Sequence, residues 1–259
     1  MNIKILVAAH KQAPMPKNTK IYLPVLVGAK KNWNKNINYQ RDDEGTNISG
    51  KNSSYSELTA IYWAWKNLKN VDYVGLVHYR RFFFNGFKKR KIENVLDDQK
   101  IQSILKQSKV ILPKKRKYYI ETNYSHYIHA HHKKPLTETR NVISSIYPEY
   151  LSYFDQVMSK RSAHMFNMFI MKKELFDKYC QWLFKILEDV EDKIDITNYS
   201  IQEKRVFGYI SELLLDVWVL ANNIKYKEVS WGITGKNNRV KKMYYFMKRK
   251  YGMRTKTHF

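Results

Sequence analysis

Residues Tyr55–Phe84, YSELTAIYWAWKNLKNVDYVGLVHYRRFFF, decide the fold class. In the first half Leu58, Ile61, Tyr62, Trp65 and Leu68 recur at helical spacing; Ser56 reads as the N-cap and Glu57 falls in the first turn. In the second half Val71, Tyr73, Val74, Leu76 and Val77 form a short apolar run that stops abruptly at His78, Tyr79, Arg80 and Arg81. A helix feeding a buried strand that ends in concentrated charge is the carboxyl edge of an open α/β sheet, where ligands bind. The active site is therefore expected at His78 to Arg81.

Working outward, Ile3 to Ala9 reads as a first strand delivering His10 to the same edge, and Tyr22 to Val27 as a second, with Pro24 confining it to a sheet edge or its own start. The polar segment from Asn32 to Ser54 carries the turn chemistry of Asp42, Asp43, Glu44, Gly45, Asn47 and Ser49, and a loop of that length is more often functional than idle. Downstream, the pattern predicts a helix over 92–107, a strand over 109–112, and an irregular segment or short helix through KKRKYYIETNYSHYIHAHHKK. Helices follow over 136–146 and 148–158, then a buried strand over 165–171 and helices over 172–190 and 202–220. The expected architecture is a single α/β domain over 1–235 with a mostly parallel central sheet flanked by helices. A basic amphipathic helical tail over 236–259 would complete it, with nine Lys or Arg and no acid.

The chain has 259 residues, 44% apolar and 15% aromatic, which excludes a disordered chain. Lys and Arg outnumber Asp and Glu by 47 to 23, for a formal charge of +24. Such an excess points to a polyanionic neighbour: nucleic acid, an anionic membrane surface or a phosphate-bearing substrate. A single cysteine, Cys180, excludes an intramolecular disulfide and a cysteine-based metal cluster and suits a reducing compartment. The start MNIKILVAAH lacks a secretory signal pattern, and no run of eighteen apolar residues occurs.

For chemistry, His78, Arg80 and Arg81 come first. Two guanidiniums can neutralise a departing diphosphate directly, because Arg is bidentate toward phosphate and keeps its charge. The expected mechanism is therefore metal-independent, with Mg²⁺ or Mn²⁺ left open; an isolated HYRR reads equally as a solvated strand end. Glu212, in GYISELLLDVW, is the candidate general base, ahead of Glu203 and Asp195. His126, His129, His131 and His132 lack the partners that make a zinc site and suit acceptor or phosphate contacts. His164 and Asn167 lie on an apolar stretch, where such residues are usually satisfied core groups. The tail RVKKMYYFMKRKYGMR interleaves bases with rings, a pattern for an anionic bilayer surface or for nucleic acid.

Four blocks, DDEGTNISGKNSSYSELTAIYWAWKNLKNVDYVGLVHYRR, VILPKKRKYYIETNYSHYIHAHH, HMFNMFIMKKELFDKYCQWLF and RVFGYISELLLDVW, together resemble a bacterial domain family first catalogued without a function. Its members sit in capsule, exopolysaccharide and O-antigen gene clusters and are treated as glycosyltransferases. The resemblance covers roughly residues 2–231 and leaves the basic tail outside. It implies a GT-A-like fold using a nucleotide-diphosphate sugar, and some relatives are assigned as galactofuranosyltransferases using UDP-galactofuranose. Positions in matching blocks are Asp43, Gly45, Asn47, Glu57, His78, Arg80, Arg81, His126, His129, His131, His164, Asn167, Arg205 and Glu212.

The combined expectation is a cytoplasmic, membrane-peripheral transferase acting on a lipid-linked saccharide by inversion. His10, Asp43, Gly45, Asn47, Glu57 and Arg205 would hold the donor, with Arg80 and Arg81 on the leaving diphosphate beside His78. His126, His129, His131, His164 and Asn167 would face the acceptor, and Glu212 would take its proton. A nucleic-acid-binding module and a non-catalytic polysaccharide-assembly factor are the alternatives.

Overall fold

The computed structural model describes residues 1–86 and 90–235. The expected amphipathic tail over 236–259 lies outside the described residues. The strands are β1 (Ile3–Ala9), β2 (Tyr22–Leu26), β3 (Gln40–Arg41), β4 (Tyr73–His78), β5 (Arg81–Phe83), β6 (Val110–Pro113), β7 (Arg116–Lys117), β8 (Ser162–Ala163), β9 (Phe169–Lys172), β10 (Lys227–Val229) and β11 (Trp231–Ile233). The helices are α1 (Ala29–Asn32), α2 (Asn52–Tyr55), α3 (Leu58–Asn67), α4 (Asp98–Leu105), α5 (Asn123–Ala130), α6 (Lys133–Ile146), α7 (Leu151–Ser159), α8 (Lys173–Glu191) and α9 (Val206–Ala221).

The main sheet runs β10-β6-β9-β4-β1-β2-β3, with β5 pairing both β4 and β11. The stretch β4-β1-β2-β3 is parallel, as is β10-β6, and β9 is inserted antiparallel between β4 and β6. Side chains alternate across the sheet, as the two-residue period of a strand requires. Leu6, Ala8, Val74, Leu76, Val110, Leu112, Phe169 and Met171 face the larger core, which is covered by α3 and α5–α9. Ile5, Val7, Tyr73, Val77, Ile111 and Ile170 face a smaller core closed by β5 and α4. Both faces are therefore buried, which is why β1 and β4 read as continuous apolar runs. Gly75, registered opposite Ile170, leaves no room for a side chain: a Cβ there would sit 2.9 Å from the Phe169 carbonyl oxygen and the Ile170 side chain.

Several expected boundaries move, each for a local reason. Ser56 is not the cap of α3; it has φ 53° and breaks the chain between α2 and α3, so Glu57 takes the N-cap position. The helix expected over 92–107 is a single 3-10 turn at Ile92–Asn94 followed by α4, because Asp97 caps Lys100 N–H at 2.8 Å while Leu96 N–H is held by the Phe83 carbonyl. The strand expected over 165–171 shortens to β9, since Phe166 and Asn167 are both left-handed. The helix expected from Gln202 begins at Val206, after a 3-10 turn over Glu203–Arg205. Pro24 does not make β2 an edge: β3 covers it, pairing only at Val25 and Leu26 and so leaving the proline side open. The segment KKRKYYIETNYSHYIHAHH resolves into β7, a tight turn and α5, whose Thr122 and Ser125 form a reciprocal capping box.

Candidate active site

β1 and β4 are adjacent and parallel, so His10 and His78 to Arg81 emerge side by side at the carboxyl edge. The Tyr79–Arg80 turn returns directly into β5, with His78 registered opposite Arg81. The two arginines therefore part company. Arg80 is exposed and stacks its guanidinium on Tyr79 at 5.2 Å, while Arg81 is drawn inward over the Phe166 ring at 4.5 Å. The Arg81 Nε is buried without a hydrogen-bond partner among the described residues. His10 packs edge-on to Tyr79 at 5.4 Å, and its pKa is lowered by partial burial and by Lys11, Arg80 and Arg205. Four positive groups thus converge on the ends of β1 and β4.

Behind Arg81 lies a cluster organised by one residue. Phe166 has φ 71°, an outlier for a bulky side chain. Its carbonyl oxygen accepts from His78 Nε2 at 2.6 Å, which fixes the imidazole tautomer with the proton on Nε2. Its backbone N–H faces the Glu212 carboxylate, and its ring carries Arg81 and abuts Trp231 at 4.7 Å. The next residue, Asn167, is also left-handed; its Nδ2 donates to Glu57 Oε1 at 2.7 Å and to the Gly208 carbonyl at 3.1 Å. Two successive strained residues thereby hold His78, Arg81, Glu57 and Glu212 in register. Strain of this kind persists only where surrounding contacts over-determine it.

Electrostatics follow from that packing. Burial, then the neighbouring Glu57 charge, raises the Glu212 carboxyl to about 8, with Arg81 and Arg205 offsetting part of the rise. Burial lowers the pKa of His78, so at neutral pH the imidazole is uncharged. Burial also lowers Arg81, opposed by Glu212 and Glu57. Arg205 donates from Nε to Ser56 Oγ at 3.0 Å and lies 5.6 Å over the Tyr209 ring, so the break at Ser56 earlier in the chain is what receives it.

Stacked ring pairs adjoin the cluster, with Tyr118 and Tyr209 both within electrostatic reach of Glu212. Tyr209 stacks on His131 at 4.0 Å, and Tyr118 stacks on His126 at 4.0 Å while its hydroxyl meets Met165 Sδ at 3.1 Å. The Tyr118 hydroxyl is raised to about 12, chiefly by burial, with Glu212 and Asp216 adding to the rise. His126 and His129 share Glu121, at 2.7 and 2.8 Å. His131 is lowered to about 4 by burial. His132, half exposed, pairs with Glu203 at 3.2 Å.

The remaining expected residues fall elsewhere. His164 is buried, with both ring nitrogens taken by carboxylates: Asp216 on Nδ1 and Glu228 on Nε2 at 3.2 Å. Asn167 is buried as well, with its Nδ2 engaged and its Oδ1 without a partner among the described residues. Asp43 forms a two-pronged pair with Arg41 at 2.8 Å, and Asn47 donates to the Asp43 and Gly45 carbonyls. Among the described residues no hydrogen bond or ion pair joins these three to Arg80, Arg81 or Glu212. The runners-up for the base also separate. Glu203 lies at the α5 end with His132, and Asp195 caps Thr197 N–H at 2.8 Å in an exposed turn. Among the described residues no three His, Cys, Asp or Glu side chains are grouped to hold a metal ion, and no helix is long and apolar enough to cross a membrane.

Sequence reasoning missed Phe166, Tyr118 and Tyr209. The only signal for the first was its Asn neighbour, since Asn tolerates left-handed backbone where most residues do not.

The architecture is shared with a solved protein. The apo structure of WbbM, a bifunctional glycosyltransferase, superposes with a TM-score of 0.82 at 32% identity over 91% of this chain. The match spans 46% of the WbbM chain, so this chain corresponds to less than half of that protein. The expected α/β glycosyltransferase fold, with its mostly parallel central sheet, is therefore the observed one. No curated protein matches the sequence. Residues 4–223 match the family described as a domain of unknown function, DUF4422, and the chain belongs to that family.

Proposed function

We propose that the protein is a glycosyltransferase that moves a sugar from a nucleotide-diphosphate donor to a hydroxyl of a lipid-linked saccharide, by a single inverting displacement. One observation carries the reading. At the carboxyl edge of parallel strands, a carboxylate raised to about 8 stands beside two guanidiniums and a second carboxylate, all fixed by strained backbone. The likeness to a bifunctional glycosyltransferase supports it.

In this scheme the acceptor hydroxyl gives its proton to the Glu212 carboxylate as its oxygen bonds to the anomeric carbon. The bond from that carbon to the diphosphate breaks, and its electron pair leaves with the diphosphate. Arg81, with Arg205 and the exposed Arg80, neutralises the developing charge; donors aimed at such charge are commonly the largest catalytic term. Neutral His78 and buried Glu57 keep Arg81 and Glu212 poised rather than touching the sugar. Tyr118, His126, His129, Tyr209 and His131 form the acceptor wall. A UDP-sugar is the proposed donor, with galactofuranose the first to test, on the resemblance alone. The proposed location is the inner face of the cell membrane, where a polyprenyl acceptor lies.

The reading is tested by thermal shift and transfer assays over a panel of nucleotide sugars, with and without excess EDTA. Stabilisation by one UDP-sugar and transfer that persists on chelation are expected. Loss of transfer on chelation with rescue by Mn²⁺ would overturn metal independence, and affinity for nucleic acid with no response to any nucleotide sugar would overturn the transferase.

A further inference from the structure

We infer that the turn at Tyr118–Glu121 is a membrane-contact tip that inserts Tyr119 and Ile120 into the headgroup region of an anionic bilayer. The surface lies outside the cluster that carries the proposed chemistry and belongs to a different stretch of the sequence from the basic tail.

Tyr119 and Ile120 are 78% and 79% exposed, adjacent in sequence and both large and apolar. Their exposure is enforced rather than incidental. Tyr119 is held at φ 60°, unusual for an aromatic residue, by two backbone bonds and one from the Arg161 side chain. Tyr118 N–H donates to the Arg161 carbonyl at 2.9 Å, Ile120 N–H donates to the Tyr118 carbonyl at 2.7 Å, and Arg161 Nη1 donates to the Tyr119 carbonyl at 3.3 Å. Immediately inward, Tyr118 points the other way, onto His126 and Met165. The turn therefore anchors one ring against His126 and Met165 and presents the next two side chains to the outside. Tyr124, four residues on in the first turn of α5, is likewise exposed, at 37%.

Charge complementarity selects the occupant. Lys114, Lys115, Arg116 and Lys117 lead into the turn, and Lys160 and Arg161, in the link between α7 and β8, lie against it through the bond from Tyr118 N–H to the Arg161 carbonyl. The nearest acid, Glu121, is already engaged by His126 and His129. A short apolar projection ringed by cations suits an interface with apolar interior and negative surface, where Tyr sits at headgroup depth and Lys or Arg meets anionic lipid. The tip adjoins the wall proposed for the acceptor, so docking there would turn the cleft toward a lipid-linked substrate. That last step rests on the proposed function; membrane contact itself does not.

The test places an environment-sensitive fluorophore on Ile120→Cys in the full chain; Cys180, the other thiol, is fully buried and escapes labelling. Vesicles of phosphatidylcholine with and without phosphatidylglycerol are titrated, without sugar nucleotide. A blue shift with anionic vesicles only, and at least a tenfold weaker vesicle partition for Tyr119→Ser/Ile120→Ser with unchanged melting temperature, are expected. Vesicle binding with the label still in water would assign the contact to another surface and overturn the proposal. Absence of vesicle binding, or a shift with RNA but not vesicles, would overturn it equally. Transfer to a soluble acceptor stays intact in the double variant, so a failure here is distinguishable from failure of the transferase reading.

Discussion

The cluster around Phe166 and the loop around Asp42 lie at the same edge of the same sheet and are built from the same residue types, yet they are electrostatic opposites. In the loop each carboxylate is satisfied by donors, Glu44 by Gln40 Nε2 at 2.7 Å. Asp42 is fully buried and accepts from Gly28 N–H at 2.7 Å, Ala29 N–H at 2.9 Å and Ser49 Oγ at 2.6 Å, so it caps α1 and ties two segments together. Asp43 is paired with Arg41, and Asn67 closes the loop by binding both the N–H and the carbonyl of Thr46. In the cluster two carboxylates face each other, one guanidinium nitrogen is buried without a partner, and two successive residues are left-handed. Satisfied polar groups stabilise a fold; frustrated ones store the free energy that chemistry draws on. The frustrated region is the proposed seat of the chemistry, and the satisfied one holds the architecture.

The largest expected effect breaks the comparison at Glu212. Glu212→Gln should lower kcat by about 10²–10⁴-fold, the range for a lost general base. The wild type should show kcat/KM rising with pH to a plateau above about 8, because only the ionised carboxylate accepts a proton. The same substitution should stabilise the protein at high pH. A carboxyl raised from 4.5 to about 8 on folding gives the folded state the extra proton, so stability is lost as pH rises through that window. Melting curves at pH 5 and pH 9 check the sign. A variant that is inactive yet no more stable at pH 9 would mean that Glu212 is not the strained group.

Next in size, Arg81→Ala should cost about 2–4 kcal/mol of transition-state stabilisation, read as a fall in kcat with a smaller change in donor KM. Exposed Arg80→Ala should cost less, because solvent already screens that guanidinium. Equal losses at both positions would contradict the division of labour between an inward and an outward arginine.

The loop responds in the opposite currency. Asp42→Ala leaves three buried donors without an acceptor and should destabilise the fold by about 2–4 kcal/mol, while kcat of the surviving folded enzyme stays unchanged. Denaturation midpoints against single-turnover rates separate the two. A selective loss of kcat without loss of stability would move the loop into the active site.

How much of this was legible in the sequence depends on what kind of contact each residue makes. Apolar continuity announced β1 and β4, because a strand buried on both faces has no polar side to disguise it, and the abrupt His78–Arg81 ending located the edge. Glu212 stood out as a charge within an apolar helix. What the sequence concealed were long-range and backbone effects. The neighbour of Glu212 is Glu57, 155 positions earlier, and the residue that holds them in register acts through its carbonyl, its N–H and its ring plane. No local pattern encodes such a hub. Asp43, Gly45 and Asn47 are ambiguous in sequence for the complementary reason: turn chemistry that closes a loop upon itself uses the same residues as turn chemistry that grips a ligand.

The smallest expected effect sharpens that last distinction. Asp43 is only partly buried and its partner Arg41 leans on the half-exposed Trp33 at 5.0 Å, so Asp43→Ala releases a cation whose ring contact remains. Arg41 lowers the pKa of Asp43, so the pair contributes above the ordinary carboxylate range and is lost as pH falls through the depressed value. Pairs this exposed contribute little, and a melting-temperature change of no more than about 2 °C is expected at pH 7, vanishing in acid. If the loop instead held the nucleoside through Asp43, the donor KM would rise about tenfold or more with stability unaltered, the cost of one unmatched polar contact to a ligand. Measuring donor KM and melting temperature on the same preparation therefore decides whether this edge of the sheet contains one functional region or two.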